Sequence, residues 1–366
     1  MSDTIKKIDW FMPEMSGGEM ERLRDVIDRN YVNDGPLSRE FERQIARRIG
    51  VAHAVAVTNG TSAIALALMA CGVGPGDEII VPDFTFIATA NAARLAGATV
   101  VLADVHPTRL TLSLDTVKAL VTPRTKAVVP VDVNGRAADY RGLEKFCREN
   151  GIALVTDSCE AMGSFFDGRA MGSFGDAGCL SFSPNKTITC GQGGMVLTNS
   201  AALNERLLEL KDQGRRVRGT GGDDLHPVMG YNFKFSDLHA AVGLAQLDVF
   251  EQRIKKSVER DQWYRQALDG LPGVEFPKNE PGEVLQWTDV LLDRRDHVRN
   301  TLLAHQIDSR PYWLPIHRQN PYKRDDVSFS NTIDLSQRAL WLPSTFSIAE
   351  SDVARVADGI RAAIGN

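Results

Sequence analysis

The chain has 366 residues, of which 43% are hydrophobic and 24% are charged. This composition is typical of globular proteins, and it excludes collagen-like and largely disordered chains. The length allows a large buried core and favours two domains, and the net charge of −5 argues against a general nucleic-acid-binding protein, since binding to phosphate backbones requires an excess of Lys and Arg.

The N-terminal part of the sequence shows no signal for membrane insertion. Residues 1–9 are polar and lack the apolar stretch of a signal peptide. The longest purely apolar run, residues 63–71, is less than half of the roughly 20 residues that span a bilayer, and we expect it to form a buried helix. The five cysteines form no CxxC pair, which speaks against a zinc or other metal site and favours reduced thiols in a cytoplasmic protein.

Short β-rich runs alternate with helical patterns over the first two-thirds of the chain. The predicted strands cover residues 78–81, 99–104, 126–131, 152–156, 178–182 and 195–198. Apolar residues spaced for one helix face predict helices around residues 41–49, 140–150 and 203–210. This alternation predicts a parallel sheet with helices on both faces, whose ligands bind at the carboxyl ends of the strands. Asp104, Asp132 and Asp157 lie at or just after such ends.

The pattern changes after about residue 235. Residues 236–268 are predicted to be largely helical, and Leu271-Pro272-Gly273 ends that stretch. A strand near residues 285–292 and helices near 297–305 and 347–364 follow. We interpret residues 1–250 as a large domain and residues 251–366 as a smaller α+β domain, within an α/β fold.

Two residues separated by about thirty positions suggest chemistry based on pyridoxal 5′-phosphate (PLP). Asp157 follows a predicted strand, where Asp is most often a cap or turn residue. Lys186 precedes a Gly-rich stretch, where a Lys is usually a solvated surface residue. Together they match a cofactor that needs a lysine for its Schiff base and a carboxylate that keeps its pyridine nitrogen protonated.

A second motif lies at the start of the apolar helix, where Gly60, Thr61 and Ser62 follow a turn. The N–H groups and hydroxyls at a helix N-terminus can bind a phosphate group. An ordinary helix cap would show the same residues, so this motif alone leaves both interpretations open.

Several motifs, in order and along nearly the whole chain, add a family resemblance. They are Gly60-Thr61, residues 74–78, 82–86, 123–127 and 157–161, Ser181 with Lys186, Gly193-Gly194, and residues 231–233, 309–311 and 342–343. In this order and spacing they resemble the DegT/DnrJ/EryC1/StrS family of PLP-dependent sugar aminotransferases. The resemblance implies fold type I, with a mostly parallel central sheet and a smaller C-terminal α+β domain.

The resemblance also implies a role for individual residues. Lys186 corresponds to the Schiff-base lysine, which also acts as the general acid and base, and Asp157 to the partner of the pyridine nitrogen. Phe86 corresponds to the aromatic residue stacked on the ring and Glu160 to a residue near the ring hydroxyl. The remaining cofactor ligands are those of the phosphate: Gly60, Thr61, Ser181 and, from the neighbouring subunit, Asn232. A homodimer with shared active sites is therefore implied.

The substrate is expected to be a nucleotide-linked sugar. Arg215, Arg216, Arg218 and Arg310 are candidates for pairing with a diphosphate. Residues 310–317 resemble the substrate-facing loop of the family, which implies His317 as a candidate contact of a sugar hydroxyl. The alternatives are a solvated loop for residues 211–222 and a structural role for His317.

The favoured reaction transfers an amino group from L-glutamate to GDP-4-keto-6-deoxymannose, because residues 210–214 and 307–311 resemble those of perosamine synthases in this family. A UDP- or dTDP-linked 3- or 4-keto sugar is the alternative substrate. Dehydratases of the family carry His in place of the lysine, so Lys186 argues against that activity. A non-catalytic regulatory member is disfavoured by the presence of Lys186, Asp157 and Ser181.

Overall fold

The computed structural model describes residues 6–216 and 224–365. The helices in these ranges are α1 (Glu19–Asp28), α2 (Pro36–Ile49), α3 (Gly60–Ala70), α4 (Ala88–Leu95), α5 (Leu114–Leu120), α6 (Tyr140–Asn150), α7 (Ala201–Lys211), α8 (Asp237–Asp248), α9 (Phe250–Leu268), α10 (Arg295–Ala304), α11 (Ser330–Arg338) and α12 (Glu350–Ile364). The strands are β1 (His53–Val57), β2 (Glu78–Pro82), β3 (Thr99–Ala103), β4 (Thr125–Val128), β5 (Ala153–Asp157), β6 (Phe165–Phe166), β7 (Arg169–Ala170), β8 (Ala177–Ser181), β9 (Gly194–Thr198), β10 (Val274–Glu275), β11 (Asp289–Leu292), β12 (Arg310–Pro311) and β13 (Ala339–Trp341).

The large sheet has seven strands in the order β1-β9-β8-β5-β4-β2-β3. Strand β9 runs antiparallel to both of its neighbours, and the pairs from β8 to β3 are parallel. The prediction of a mostly parallel sheet is confirmed, and each of the six predicted strands is present. Strand β4 is shorter than predicted, and the edge strand β1 is absent from the sequence prediction.

Helices cover both faces of this sheet, as the uninterrupted apolar strands predict. Alternate residues of β2 point to opposite faces: Ile79 joins the core under α3, and Ile80 joins the core under α6. Helix α3 is buried along almost its whole length, which confirms the expectation for residues 63–71. The carboxyl ends of β2, β4, β5 and β8 therefore meet at one edge, where α3 also begins.

The smaller sheet has four antiparallel strands in the order β10-β11-β13-β12. Helices α9, α10 and α12 pack on it around a core that includes Tyr264, Leu302 and Ile360. The predicted helical stretch 236–268 is two helices, which meet at Val249. The two sheets fall on either side of residue 250, and the domain boundary there remains a prediction.

The smaller sheet and its surroundings contact segments that are distant in sequence. Near the N-terminus, Ile8 forms a parallel bridge with Ile307, so this segment lies beside the smaller sheet. The buried guanidinium of Arg136 forms a bidentate ion pair with Asp289 of β11, with N···O distances of 2.6 and 2.7 Å. In the ranges that the structure describes, no helix is both long and apolar enough to cross a membrane.

Candidate active site

A cavity of about 580 Å³ lies at the carboxyl edge of the large sheet. Eight of the residues singled out from the sequence line it together: Gly60, Thr61, Phe86, Asp157, Glu160, Ser181, Lys186 and Arg310. They come from loops and strand ends as far apart as residues 60 and 310, and the topology brings them to one place.

One end of the cavity is built to receive an anion. Asn59 caps α3 by accepting a hydrogen bond from the Ser62 N–H at 2.8 Å, and the N–H groups of Gly60 and Thr61 have no acceptor within the helix. A Cβ atom at Gly60 would lie 3.0 Å from both the Ser181 Cβ and the Cys159 Sγ. A Cβ atom here would make tight contacts, so glycine favours the close approach of α3 to Ser181, and the resulting cradle of N–H and hydroxyl donors fits a phosphate group.

The Asp157 carboxylate, at the end of β5, is 5% exposed. It accepts hydrogen bonds from the Thr89 hydroxyl at 2.7 Å and from the Cys159 N–H at 3.2 Å. Within the described ranges it forms no ion pair with a Lys, Arg or His side chain. A buried carboxylate without a cationic partner is unfavourable, so this position fits a ligand group that carries a proton and positive charge. Sequence reasoning missed Thr89, because it lies 68 positions from Asp157 in the chain.

Lys186 lies across the same cavity beside a second carboxylate. Its Nζ is 3.3 Å from Glu160 Oε1 and 5.4 Å from the centre of the Trp287 ring. The other oxygen of Glu160 accepts a hydrogen bond from the Asn134 N–H at 3.1 Å. Asn134 has a φ of 55°, a left-handed conformation that Asn tolerates better than most residues, and its side chain bonds both the N–H and the carbonyl of Trp287.

Asp132 and Asp104, which also follow strands, do not line the cavity. The side chain of Asp132 is fully buried behind Asp157 and accepts hydrogen bonds from Tyr140 at 2.5 Å and Ser158 at 2.6 Å. Burial raises the pKa of Asp132 to about 8. Asp104 instead bonds backbone N–H groups in the first turn of α11.

Aromatic side chains form another wall of the cavity. Trp287, Trp313 and Trp341 line it, and the Arg310 guanidinium lies 5.7 Å from the Trp341 ring and 5.0 Å from that of Trp10. Four of the five tryptophans of the chain therefore gather here. They are spread over more than 300 positions and belong to no common motif, so the sequence carries no signal for this wall.

Three other predicted residues, Arg215, Arg216 and Asn232, lie outside the cavity. Arg215 is paired with Asp212 at 2.9 Å, and its neighbour Arg216 with Glu209 at 3.2 Å. Asn232 is exposed, and its backbone forms a bridge with Asp212. Arg218 lies outside the described residues. Of the arginines in this stretch, the two that the structure describes, Arg215 and Arg216, do not line this cavity within one chain.

The structure places His317 outside the cavity, and its contact with a sugar hydroxyl remains a prediction. Its ring is completely buried and does not line the cavity. Nδ1 lies 2.5 Å from Asp83 Oδ2 and Nε2 lies 2.8 Å from Asp326 Oδ1, so both ring nitrogens already have partners. Within one chain, burial and these two contacts match the alternative, a structural role for His317.

The chain belongs to the DegT/DnrJ/EryC1/StrS aminotransferase family, whose sequence profile matches residues 13–361. It is 35% identical over 361 residues to the GDP-perosamine synthase of Vibrio cholerae, covering 96% of this chain and 97% of that protein. It is also 35% identical over 332 residues to the UDP-N-acetyl-3-dehydro-alpha-D-glucosamine 3-aminotransferase of Acidithiobacillus ferrooxidans, covering 89% and 88%. The crystal structure of DesI in the presence of its TDP-sugar product superposes with a TM-score of 0.90 at 34% identity, covering 98% and 93%. The chain is thus a member of a family of PLP-dependent sugar aminotransferases, and the α/β fold expected from the resemblance is confirmed.

Proposed function

We propose that PLP binds in this cavity on Lys186 and that the enzyme transfers an amino group from L-glutamate to a nucleotide-linked 4-keto-6-deoxy sugar. The observation that carries the proposal is the meeting of three chemical elements in one cavity: the Lys186 amine, the buried Asp157 carboxylate and the N-terminus of α3. The donors at α3 suit a phosphate and the carboxylate suits a protonated ring nitrogen, so the residues present fit the cofactor.

Each residue then has a defined task. When bound, PLP supplies an electron sink for a carbanion at the reacting carbon. Gly60, Thr61 and Ser181 hold its phosphate, and Asp157 keeps the proton on its ring nitrogen. Phe86, about half exposed in the cavity, covers the ring face. The Lys186 amine takes and returns the proton that moves between carbon atoms in each half-reaction, and Glu160 orients that amine from 3.3 Å.

The favoured acceptor is GDP-4-keto-6-deoxymannose. Support comes from the GDP-perosamine synthase at 35% identity and from the resemblance of residues 210–214 and 307–311 to such enzymes. Arg310 adds a positive charge to the cavity and has no carboxylate partner in the described ranges, which suits an anionic substrate group. A UDP- or dTDP-linked keto sugar is the second candidate, because the UDP-sugar enzyme and DesI are similar to this chain to the same degree.

Steady-state kinetics with the three nucleotide-linked keto sugars separates these candidates. L-glutamate is the donor, with L-glutamine and L-aspartate as donor controls, and mass spectrometry identifies the amino sugar. We expect the largest kcat/KM with the GDP-linked sugar and with L-glutamate. A clear preference for a UDP- or dTDP-linked sugar would replace the acceptor and leave the aminotransferase activity in place. Absence of amino transfer to all three would refute the proposed function.

We further propose a homodimer with shared active sites. Asn232 is exposed and outside the cavity of its own chain, as a residue acting across a subunit interface should be. Light scattering measures the mass of the assembly. Mixing the Lys186→Ala and Asn232→Ala variants under conditions of subunit exchange should restore activity above that of either variant alone, because one site of each mixed dimer then carries neither change. Lack of restoration, with exchange shown by a tagged subunit, would contradict shared sites.

We assign this activity to the cytoplasm. All five cysteines are unpaired in the structure, as expected in a reducing compartment. Fractionation of the producing cells tests the assignment, and recovery with an extracytoplasmic fraction would overturn it.

A further inference from the structure

His317 joins two segments of the chain that line the active-site cavity. One segment follows β2 and brings Thr85, Phe86 and Thr89 to the cavity. The other contains β12 and brings Arg310 and Trp313. They are more than 200 positions apart in sequence, and the contact between Asp83 and residues 316–317 connects them.

The contact consists of three hydrogen bonds to one buried residue. The Ile316 N–H donates to the Asp83 carbonyl at 3.0 Å, and the His317 N–H donates to Asp83 Oδ1 at 2.7 Å. The His317 ring reaches the other carboxylate oxygen, with Nδ1 2.5 Å from Oδ2. Both side chains are completely buried, and the His317 ring stacks on Phe329 with a centroid distance of 4.4 Å and an interplanar angle of 9°. A contact of this kind in a dry environment is strongly directional.

The outer nitrogen of the same ring faces the surface. Nε2 lies 2.8 Å from Asp326 Oδ1, and hydrogen bonds from Arg318 and His317 lower the pKa of Asp326 to about 2. Asp326 is therefore ionised and accepts a hydrogen bond from Nε2. On the inner side of the ring, one proton lies between Nδ1 and Asp83. The His317 ring therefore connects the Asp326 carboxylate at the surface to the Asp83 carboxylate, which lies beside the catalytic cavity.

We propose that His317 is a positioning residue for amino transfer: by bonding Asp83, it fixes the segment that carries Arg310 and Trp313 against the segment that carries Phe86. The proposal rests on the proposed function in taking this cavity as the site of the reaction. His317 touches neither the cavity nor a ligand in it, and it acts through the placement of residues that do.

We expect the segment with Arg310 to be the one that moves more freely without this bond. Strand β12 has two residues and pairs only with β13, at the edge of the smaller sheet. Asp83, in contrast, directly follows β2 and donates its N–H to the Ala103 carbonyl at 2.8 Å. Lys186, Asp157 and Ser181 lie on other elements. Losing the inner bond of His317 should therefore weaken substrate binding and leave cofactor binding unchanged.

Two substitutions distinguish the inner bond, between His317 Nδ1 and Asp83, from the outer bond, between His317 Nε2 and Asp326. In His317→Asn the amide nitrogen takes the place of Nδ1 and still donates to Asp83. In His317→Gln it takes the place of Nε2 and reaches only Asp326. We expect His317→Gln to raise the KM for the keto sugar about tenfold, the effect of losing one charge-assisted hydrogen bond, and His317→Asn to change it less than about twofold. The dissociation constant of PLP should stay within about twofold of the wild-type value in both, since the groups that bind it are intact.

Hydrogen–deuterium exchange of the cofactor-free protein provides a readout that needs no substrate. The Ile316 and His317 amides both donate to Asp83, so peptides covering residues 310–318 should exchange faster in His317→Gln and at the wild-type rate in His317→Asn. Asp83→Asn, which places an amide against Nδ1, should reproduce the His317→Gln result if the latter variant folds poorly. Asp326→Asn is the matched control at the outer nitrogen, and we expect wild-type KM and exchange.

An equal effect of the Asn and Gln substitutions on KM, or unchanged exchange over residues 310–318 in both His317→Gln and Asp83→Asn, would overturn the proposal. So would a weakened affinity for PLP that parallels the rise in KM, because this would indicate a general loss of structure. If the wild-type enzyme transfers no amino group to any keto sugar, the proposed function fails, and the exchange and cofactor-affinity data still decide the role of His317.

Discussion

Asp157→Asn is the substitution that tests the cofactor site most directly, because it removes one charge and almost no volume. Asp157 is 5% exposed, and its two protein partners are the Thr89 hydroxyl and the Cys159 N–H. Both can remain bonded to an amide, since a hydroxyl donates or accepts and the amide oxygen still accepts. The fold should therefore survive, and a change in rate can be attributed to the lost charge.

The size of the effect follows from the electrostatics of this position. Two unit charges at hydrogen-bond distance attract by about 6 kcal/mol when the effective dielectric constant is about 20. This attraction keeps the proton on the ring nitrogen, and without the proton the ring withdraws electrons poorly. At about 1.4 kcal/mol for each factor of ten, the upper limit is a rate loss of about four orders of magnitude. We expect a loss of about 100-fold to 10,000-fold for the step that moves the proton.

The assay is a single-turnover reaction of the PLP-loaded enzyme with L-glutamate, followed by the absorbance of the cofactor. The bound cofactor is quantified first, so that weak loading is not counted as slow chemistry. Asp139→Asn is the matched control: Asp139 is exposed, caps α6 through the Gly142 N–H and lies outside the cavity, so its rate should equal the wild-type rate. A loss of less than about tenfold in Asp157→Asn at full loading would refute the assignment, since 1.4 kcal/mol is too little for the partner of a protonated ring nitrogen.

Three further outcomes are expected. Lys186→Ala should remove both amino transfer and the visible absorbance of lysine-bound PLP, and normal turnover would contradict its assignment. Arg136→Met should lower the melting temperature by about 5 °C in calorimetry. The change leaves the buried Asp289 without its cation, which costs about 3–5 kcal/mol of stability. As the control, Arg141→Met, at an exposed position, should have almost no effect on the melting temperature. Burial raises the pKa of Asp132 to about 8, so the folded state retains a proton that the unfolded state loses near pH 4, and stability falls as the pH rises towards 8. Asp132→Asn should make the fall in melting temperature between pH 6 and pH 8 shallower, and an unchanged slope would show that Asp132 is ionised throughout.

Local patterns in the sequence were enough to predict the class of fold, and together with the family resemblance they predicted the cofactor chemistry. Short, mostly apolar runs such as residues 78–81, alternating with helical patterns, favour strands buried on both faces and so predict a parallel sheet. Asp157 could be placed at the ligand-binding edge because parallel strands share the direction of their carboxyl ends, whereas Ser181 followed from the resemblance to a family. Lys186 followed from its distance along the chain from Asp157 and from the resemblance to a family.

Only the tertiary structure decided which side chains face the cavity and which are buried beside it. Thr89, Asn134 and the tryptophan wall reach the site through contacts between segments that are far apart in sequence, and no periodic pattern records such contacts. His317 shows the converse: its position in a substrate-facing stretch predicted a sugar contact, and the fold turned its ring onto two carboxylates. Spacing along a chain constrains only neighbours on the same element, whereas the surroundings of a side chain depend on every element packed around it.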